Sequence, residues 1–116
     1  MIPYYLFLDD IRKPSEVTWI KLPRLNWLIV RNYKDFVKMI TDRGLPAAIS
    51  FDHDLVDLHY VNGEISEKTG YDCAKWLIQF CMDNDFPFPE YYIHTMNPIG
   101  ADNINGLIRN FKKFRS

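Results

Sequence analysis

Three short apolar runs of this sequence each end in titratable side chains. Tyr4 to Asp10 closes on Asp9 and Asp10. Ala47 to Asp52 runs on into His53 and Asp54. Tyr91 to His94 is followed by Thr95. Continuous apolar runs of this length read as buried strands. Helical patterns separate them, and strands alternating with helices predict a mostly parallel sheet covered on both faces. In such sheets ligands gather beyond the carboxyl ends of the strands. The three polar clusters fall at those ends, so one edge of the sheet collects them.

The other elements follow from caps and breakers. Ile11 to Leu25 carries Pro14 and Pro23 and reads as irregular. Asn26 to Arg31 is a further strand, which brings the sheet to four. Asn32 caps a helix with an apolar stripe of Phe36, Val37 and Ile40, and Gly44 ends it. A polar loop covers Asp57 to Lys68. Thr69 with Asp72 forms a capping box for a second helix, which buries Cys73, Leu77, Phe80 and Cys81. Pro87 and Pro89 break the chain. Asn97 to Gly100 is a turn, and the last helix starts at Ala101 or Asp102 with the stripe Ile104, Leu107, Ile108 and Phe111.

Composition narrows the class. The chain has 116 residues, 47% hydrophobic and 25% charged, and a formal net charge of −1. That is one domain, residues 1–116, with enough length to bury a core. Near-neutral charge excludes a large nucleic-acid platform. The basic run Arg109, Lys112, Lys113 and Arg115 suits the solvated end of a helix. Cys73 and Cys81 lack metal-ligand spacing and read as buried thiols in a reducing compartment. No apolar stretch reaches membrane-spanning length, and the N-terminal run meets Asp9 at once. Together these features predict a cytoplasmic protein with no membrane partner.

The clusters carry the chemistry. Asp9, Asp10 and Asp52 can hold a divalent cation, Mg²⁺ or Mn²⁺, through oxygen ligands. Taken alone, the Asp9–Asp10 pair equally suits a solvated turn. His53 and His94, on neighbouring strand ends, are candidates for a general acid and general base. Such a pair can open a cyclic phosphate without a metal. Asp54 can orient an imidazole, and Asp10 joins the candidate catalytic set. Thr95 and Arg12 are candidate phosphate donors. The turn from Asn97 to Gly100 feeds a helix N-terminus, where backbone amides favour an anion and a glycine lets a ligand approach. His59, in the polar loop, reads as a surface residue.

Acidic residues after the first strand, Asp52 after the third and Thr95 after the fourth resemble a receiver domain. The pattern then departs, because no fifth strand with its lysine follows. The chain more closely resembles the cyclic-phosphate processing receiver-like family. The matching segments are Leu6 to Pro14, Ser50 to Leu55, Thr69 to Asp72 and His94 to Ala101. By position, that family's acidic and histidine motifs fall on Asp9, Asp10, Asp52, His53, Asp54 and His94. The resemblance implies a reduced flavodoxin-like or receiver-like three-layer α/β sandwich. It also implies a phosphoesterase acting on a cyclic phosphate, in RNA end repair or in nucleotide-based defence or counter-defence. The substrate would be a cyclic nucleotide or oligonucleotide messenger, or an RNA end with a 2′,3′-cyclic phosphate. The alternatives are a non-catalytic binder that sequesters such a nucleotide, and a receiver-type phosphoacceptor using Asp52.

Overall fold

A computed structural model of the chain describes residues 3–55, 60–61, 64–65 and 68–115. In chain order the elements are β1 (Tyr5–Leu8), β2 (Trp27–Val30), α1 (Tyr33–Arg43), β3 (Ala48–Phe51), β4 (Tyr60–Val61), β5 (Glu64–Ile65), α2 (Gly70–Asn84), β6 (Glu90–Ile93) and α3 (Pro98–Arg115). Four strands form one parallel sheet in the order β2-β1-β3-β6. Strands β4 and β5 make a separate antiparallel pair within the stretch read as loop. This is the receiver-like α/β fold implied by the sequence. No helix of the described residues is long and apolar enough to cross a membrane.

The caps fall where the sequence puts them. The Asn32 side chain accepts from the Asp35 amide and opens α1. Thr69 and Asp72 form the reciprocal capping box of α2. Helix α3 starts earlier than expected, at Pro98. Proline at the first helical position loses no hydrogen bond, and the Asn97 Oδ1 accepts from the Gly100 amide at 3.0 Å. Asn97 is therefore the cap, and the turn expected there is the helix's own first turn.

Strand alternation divides the sheet into two faces. The register places Leu6, Leu8, Leu28, Val30, Ile49, Phe51, Tyr91 and Ile93 on one of them. These residues join Phe36 and Ile40 of α1, Cys73, Leu77 and Cys81 of α2, and Ile104 and Ile108 of α3 in a single core. All three helices cover this face. The two cysteines are free and buried, and burial pushes both thiols up, Cys81 to about 11.

The opposite face carries Tyr5, Phe7, Trp27, Ile29, Ser50 and Tyr92. Its cover is the segment 11–26, with a single 3-10 turn at Pro14–Glu16. Pro14 and Pro23 explain why no helix forms there. The third layer of the sandwich is thus an irregular strap rather than a helix.

Candidate functional site at the carboxyl edge of the sheet

The parallel ladder continues one residue beyond the strand ends. The Asp9 amide donates to the Val30 carbonyl at 3.1 Å, Asp52 to Leu8 at 2.9 Å, and His94 to Phe51 at 2.9 Å. These three bonds pin Asp9, Asp52 and His94 side by side. One carboxylate oxygen from each aspartate and one His94 ring nitrogen lie within 4.8 Å of one another. All three residues are buried.

His94 is held on every side. Its ring stacks on Phe7, with centroids 4.4 Å apart and planes 6° from parallel. Nδ1 is 2.6 Å from the Ser50 hydroxyl and Nε2 is 3.0 Å from Asp9 Oδ2. Asp9 Oδ1 accepts from the amides of Ile11 at 3.0 Å and Arg12 at 2.8 Å. Burial acts to raise the Asp9 pKa, but the bonds from His94 and the two amides outweigh it and bring it down to about 2. Asp52 goes the other way. Burial raises its pKa first, and the neighbouring Asp9 charge adds to that. A hydrogen bond from Thr95 and the His53 amide at 2.8 Å only partly oppose the rise.

Above this buried layer is a cleft of about 390 Å³. It is lined by Asp10, Ile11 and Arg12 after β1, by Asp52 and Asp54 after β3, and by Thr95, Met96 and Asn97 after β6. Three strand ends therefore deliver groups to one space, as the sequence predicts. The Arg12 guanidinium lies 5.1 Å over the Trp19 ring, 3.9 Å from Asp9 Oδ2 and 3.7 Å from Met96 Sδ. Among the described residues, the cleft presents three carboxylates and one guanidinium.

Several sequence expectations need correction. Neither histidine lines the cleft, so His53 and His94 are not a facing acid–base pair. His94 is fully buried with both nitrogens engaged within the protein. His53 holds Asp54 through Nδ1 at 2.9 Å. Each histidine thus positions a carboxylate. The Thr95 hydroxyl is bonded to Asp52 and accepts the Asn97 amide at 3.2 Å, so it is not a ready phosphate donor. Asn97 caps α3 and reaches Asp54 Oδ2 at 3.4 Å. Of the expected phosphate donors, Arg12 alone brings a cation to the cleft. His59 lies outside the described residues.

Gly100 is a packing glycine rather than a ligand doorway. A Cβ there would come within 2.4 Å of the His53 ring and 2.8 Å of its Cβ. Gly100→Ala should displace His53 from Asp54 and cost about 1–3 kcal/mol, as overpacking does. Gly106→Ala, further along α3 with nothing within 4 Å of the added carbon, should lose nothing. Urea unfolding midpoints of the two variants check this. Gly70 is equally constrained, because a Cβ there would fall 1.7 Å from the Asp52 carbonyl oxygen.

Three supporting residues went unread in the sequence. Ser50 is a lone hydroxyl in an apolar strand, and a buried hydroxyl requires a partner. That signal was legible. Arg31 Nη1 donates to the carbonyls of Asp9 at 3.2 Å and Arg12 at 2.7 Å, clamping the loop after β1. Trp19 Nε1 donates to the His94 carbonyl at 2.7 Å. Nothing local marks either contact.

No curated protein and no solved structure shows significant similarity to the chain. A family model, the cyclic-phosphate processing receiver domain, matches residues 4–110. That span holds β1 through most of α3 and every residue of the cleft. The chain therefore belongs to the cyclic-phosphate processing receiver domain family.

Proposed function

We propose that this chain hydrolyses a cyclic phosphodiester in the cleft at the carboxyl edge of the sheet. The substrate class is a cyclic nucleotide or oligonucleotide, or an RNA end with a 2′,3′-cyclic phosphate. The observation that carries this reading is the convergence of Asp10, Asp52, Asp54 and Arg12 from separate strand ends on one cleft.

The charge balance of that cleft decides how a phosphate could enter. Three carboxylates against one guanidinium repel an anion. A divalent cation removes that repulsion. The donor set fits Mg²⁺ or Mn²⁺, which prefer carboxylate oxygens and keep several waters. Asp10 and Asp52 would hold it. Asp9 is already matched by two amides and His94, and it would support from beneath. Such an ion, when bound, supplies charge neutralisation for the phosphate.

The protein's own groups do the rest. Arg12 binds a phosphate oxygen. Asp54, oriented by His53 and Asn97, is 63% exposed and takes the proton of the attacking water. The water oxygen forms a bond to phosphorus, one ring P–O bond breaks, and the leaving oxygen takes a proton from solvent. The product is a phosphomonoester. A panel of cyclic nucleotides and cyclic-phosphate RNA ends, assayed with Mg²⁺, with Mn²⁺ and with chelator, tests this. Turnover with either cation, abolished by chelator, supports it. Stoichiometric capture with intact release would instead show a sequestering binder.

A further inference from the structure

A second groove lies away from the acidic cleft, between the strap and the aromatic face of the sheet. It encloses about 680 Å³, within the range of small-molecule sites. Its walls include Val17, Leu22, Pro23 and the Trp27 ring, and its polar rim includes Lys13 and Arg24. Among the described residues, no carboxylate lines it. The nearby Glu16 side chain is turned to the Lys13 amide at 2.8 Å. Trp27 is fixed, because its Nε1 donates to the Pro23 carbonyl at 3.1 Å and its ring meets Tyr5, Phe7 and Tyr92 edge to face.

We propose that this groove binds a second nucleotide unit of the substrate, its base against Trp27 and its phosphate at Lys13 and Arg24. Charge and shape select that occupant. A rigid aromatic wall with two cations and no acid suits a group that is flat at one end and anionic at the other. The linings of the groove and the cleft include consecutive residues of the chain. Arg12 lines the cleft and Lys13 lines the groove, and an oligonucleotide that follows this segment would place one nucleotide in each. This deepens the proposed function and rests on it for the word substrate. It selects oligonucleotides over cyclic mononucleotides.

The three tryptophans give the test separate reporters. Trp27 reports the groove. Trp19 stacks with Arg12 of the cleft. Trp76 packs against Phe36 and Phe80 on the helical side and serves as control. The full chain is titrated with the linear dinucleotide pApA, which has no cyclic phosphate, while indole N–H resonances are followed by NMR. The expected result is a saturable shift of Trp27 with Trp76 unmoved, weakened roughly tenfold or more in the double variant Lys13→Glu, Arg24→Glu. An unmoved Trp27, or equal binding by the double variant, would overturn the proposal. So would a Trp27 shift on concentrating the protein alone, which would make a second copy the occupant. Failure of the hydrolysis reading is distinguishable, because it leaves the Trp27 response intact while no cyclic phosphate turns over.

Discussion

Asp52→Asn should lower the hydrolysis rate by roughly a hundredfold or more and raise stability by a few degrees. The rate loss follows from its place in the cleft, where a preorganised charge contributes this much to phosphoryl chemistry. The gain in stability follows from burial. Asp52 is 4% exposed and lies beside Asp9, so its ionised form is disfavoured in the folded chain. An acid whose pKa is raised on folding stabilises below its unfolded pKa, and that contribution is lost as pH rises through the folded value. Asparagine keeps the shape and drops the charge. The advantage of Asp52→Asn should therefore grow as pH rises and vanish in acid. Melting curves of parent and variant across pH, with and without Mg²⁺, check this. Mg²⁺ should raise the parent's melting temperature and leave the variant's nearly unchanged.

Asp9→Ala should cost about 3–5 kcal/mol, the usual penalty for removing a buried carboxylate and leaving its buried hydrogen-bond partners unsatisfied. The amides of Ile11 and Arg12 and the Nε2 of His94 would all lose their acceptor. For a domain of this size the melting temperature should fall by more than about 10 °C. The pH dependence identifies the cause. The Asp9 pKa is lowered to about 2 from an ordinary value of 3.8. Its stabilisation is present above the unfolded pKa and is lost as pH falls through the folded one. The gap between parent and variant should be constant above about pH 5 and narrow below pH 4. A gap independent of pH down to 2 would mean that the carboxylate charge contributes nothing.

The fold was legible where the signals are local. Asn32 with Asp35, and Thr69 with Asp72, satisfy helix amides three residues away, so the caps are visible in the sequence. The apolar runs ending in titratable groups place three strands and one polar edge. The sequence puts the start of α3 three or four residues late, because Pro98 suits a turn as well as the first position of a helix. The cover on the aromatic face was missed because nothing local says that an irregular strap can do a helix's work there.

Within the cleft, the strand ends that line it are legible in the sequence, and the contacts each side chain makes are not. His94 carries the sequence signature of a catalytic imidazole. Its burial depends on Phe7, Ser50 and Asp9, which are 44 to 87 residues away in the chain. The Gly100 signal was equally ambiguous, since close approach by a ligand and close approach by His53 both require the missing Cβ. Only the three-dimensional neighbour decides between them.

The central claim is that the cleft turns over a cyclic phosphate with water. The direct measurement incubates the protein and Mg²⁺ in ¹⁸O-labelled water with an excess of a cyclic mononucleotide, a cyclic oligonucleotide and an oligoribonucleotide ending in a 2′,3′-cyclic phosphate, each in turn, and weighs both nucleotide and protein by mass spectrometry. The account predicts many turnovers of at least one of the three, one ¹⁸O in each product phosphate, and no change in protein mass. All three intact after long incubation with either Mg²⁺ or Mn²⁺, or a protein that has gained a phosphoryl group, would contradict it.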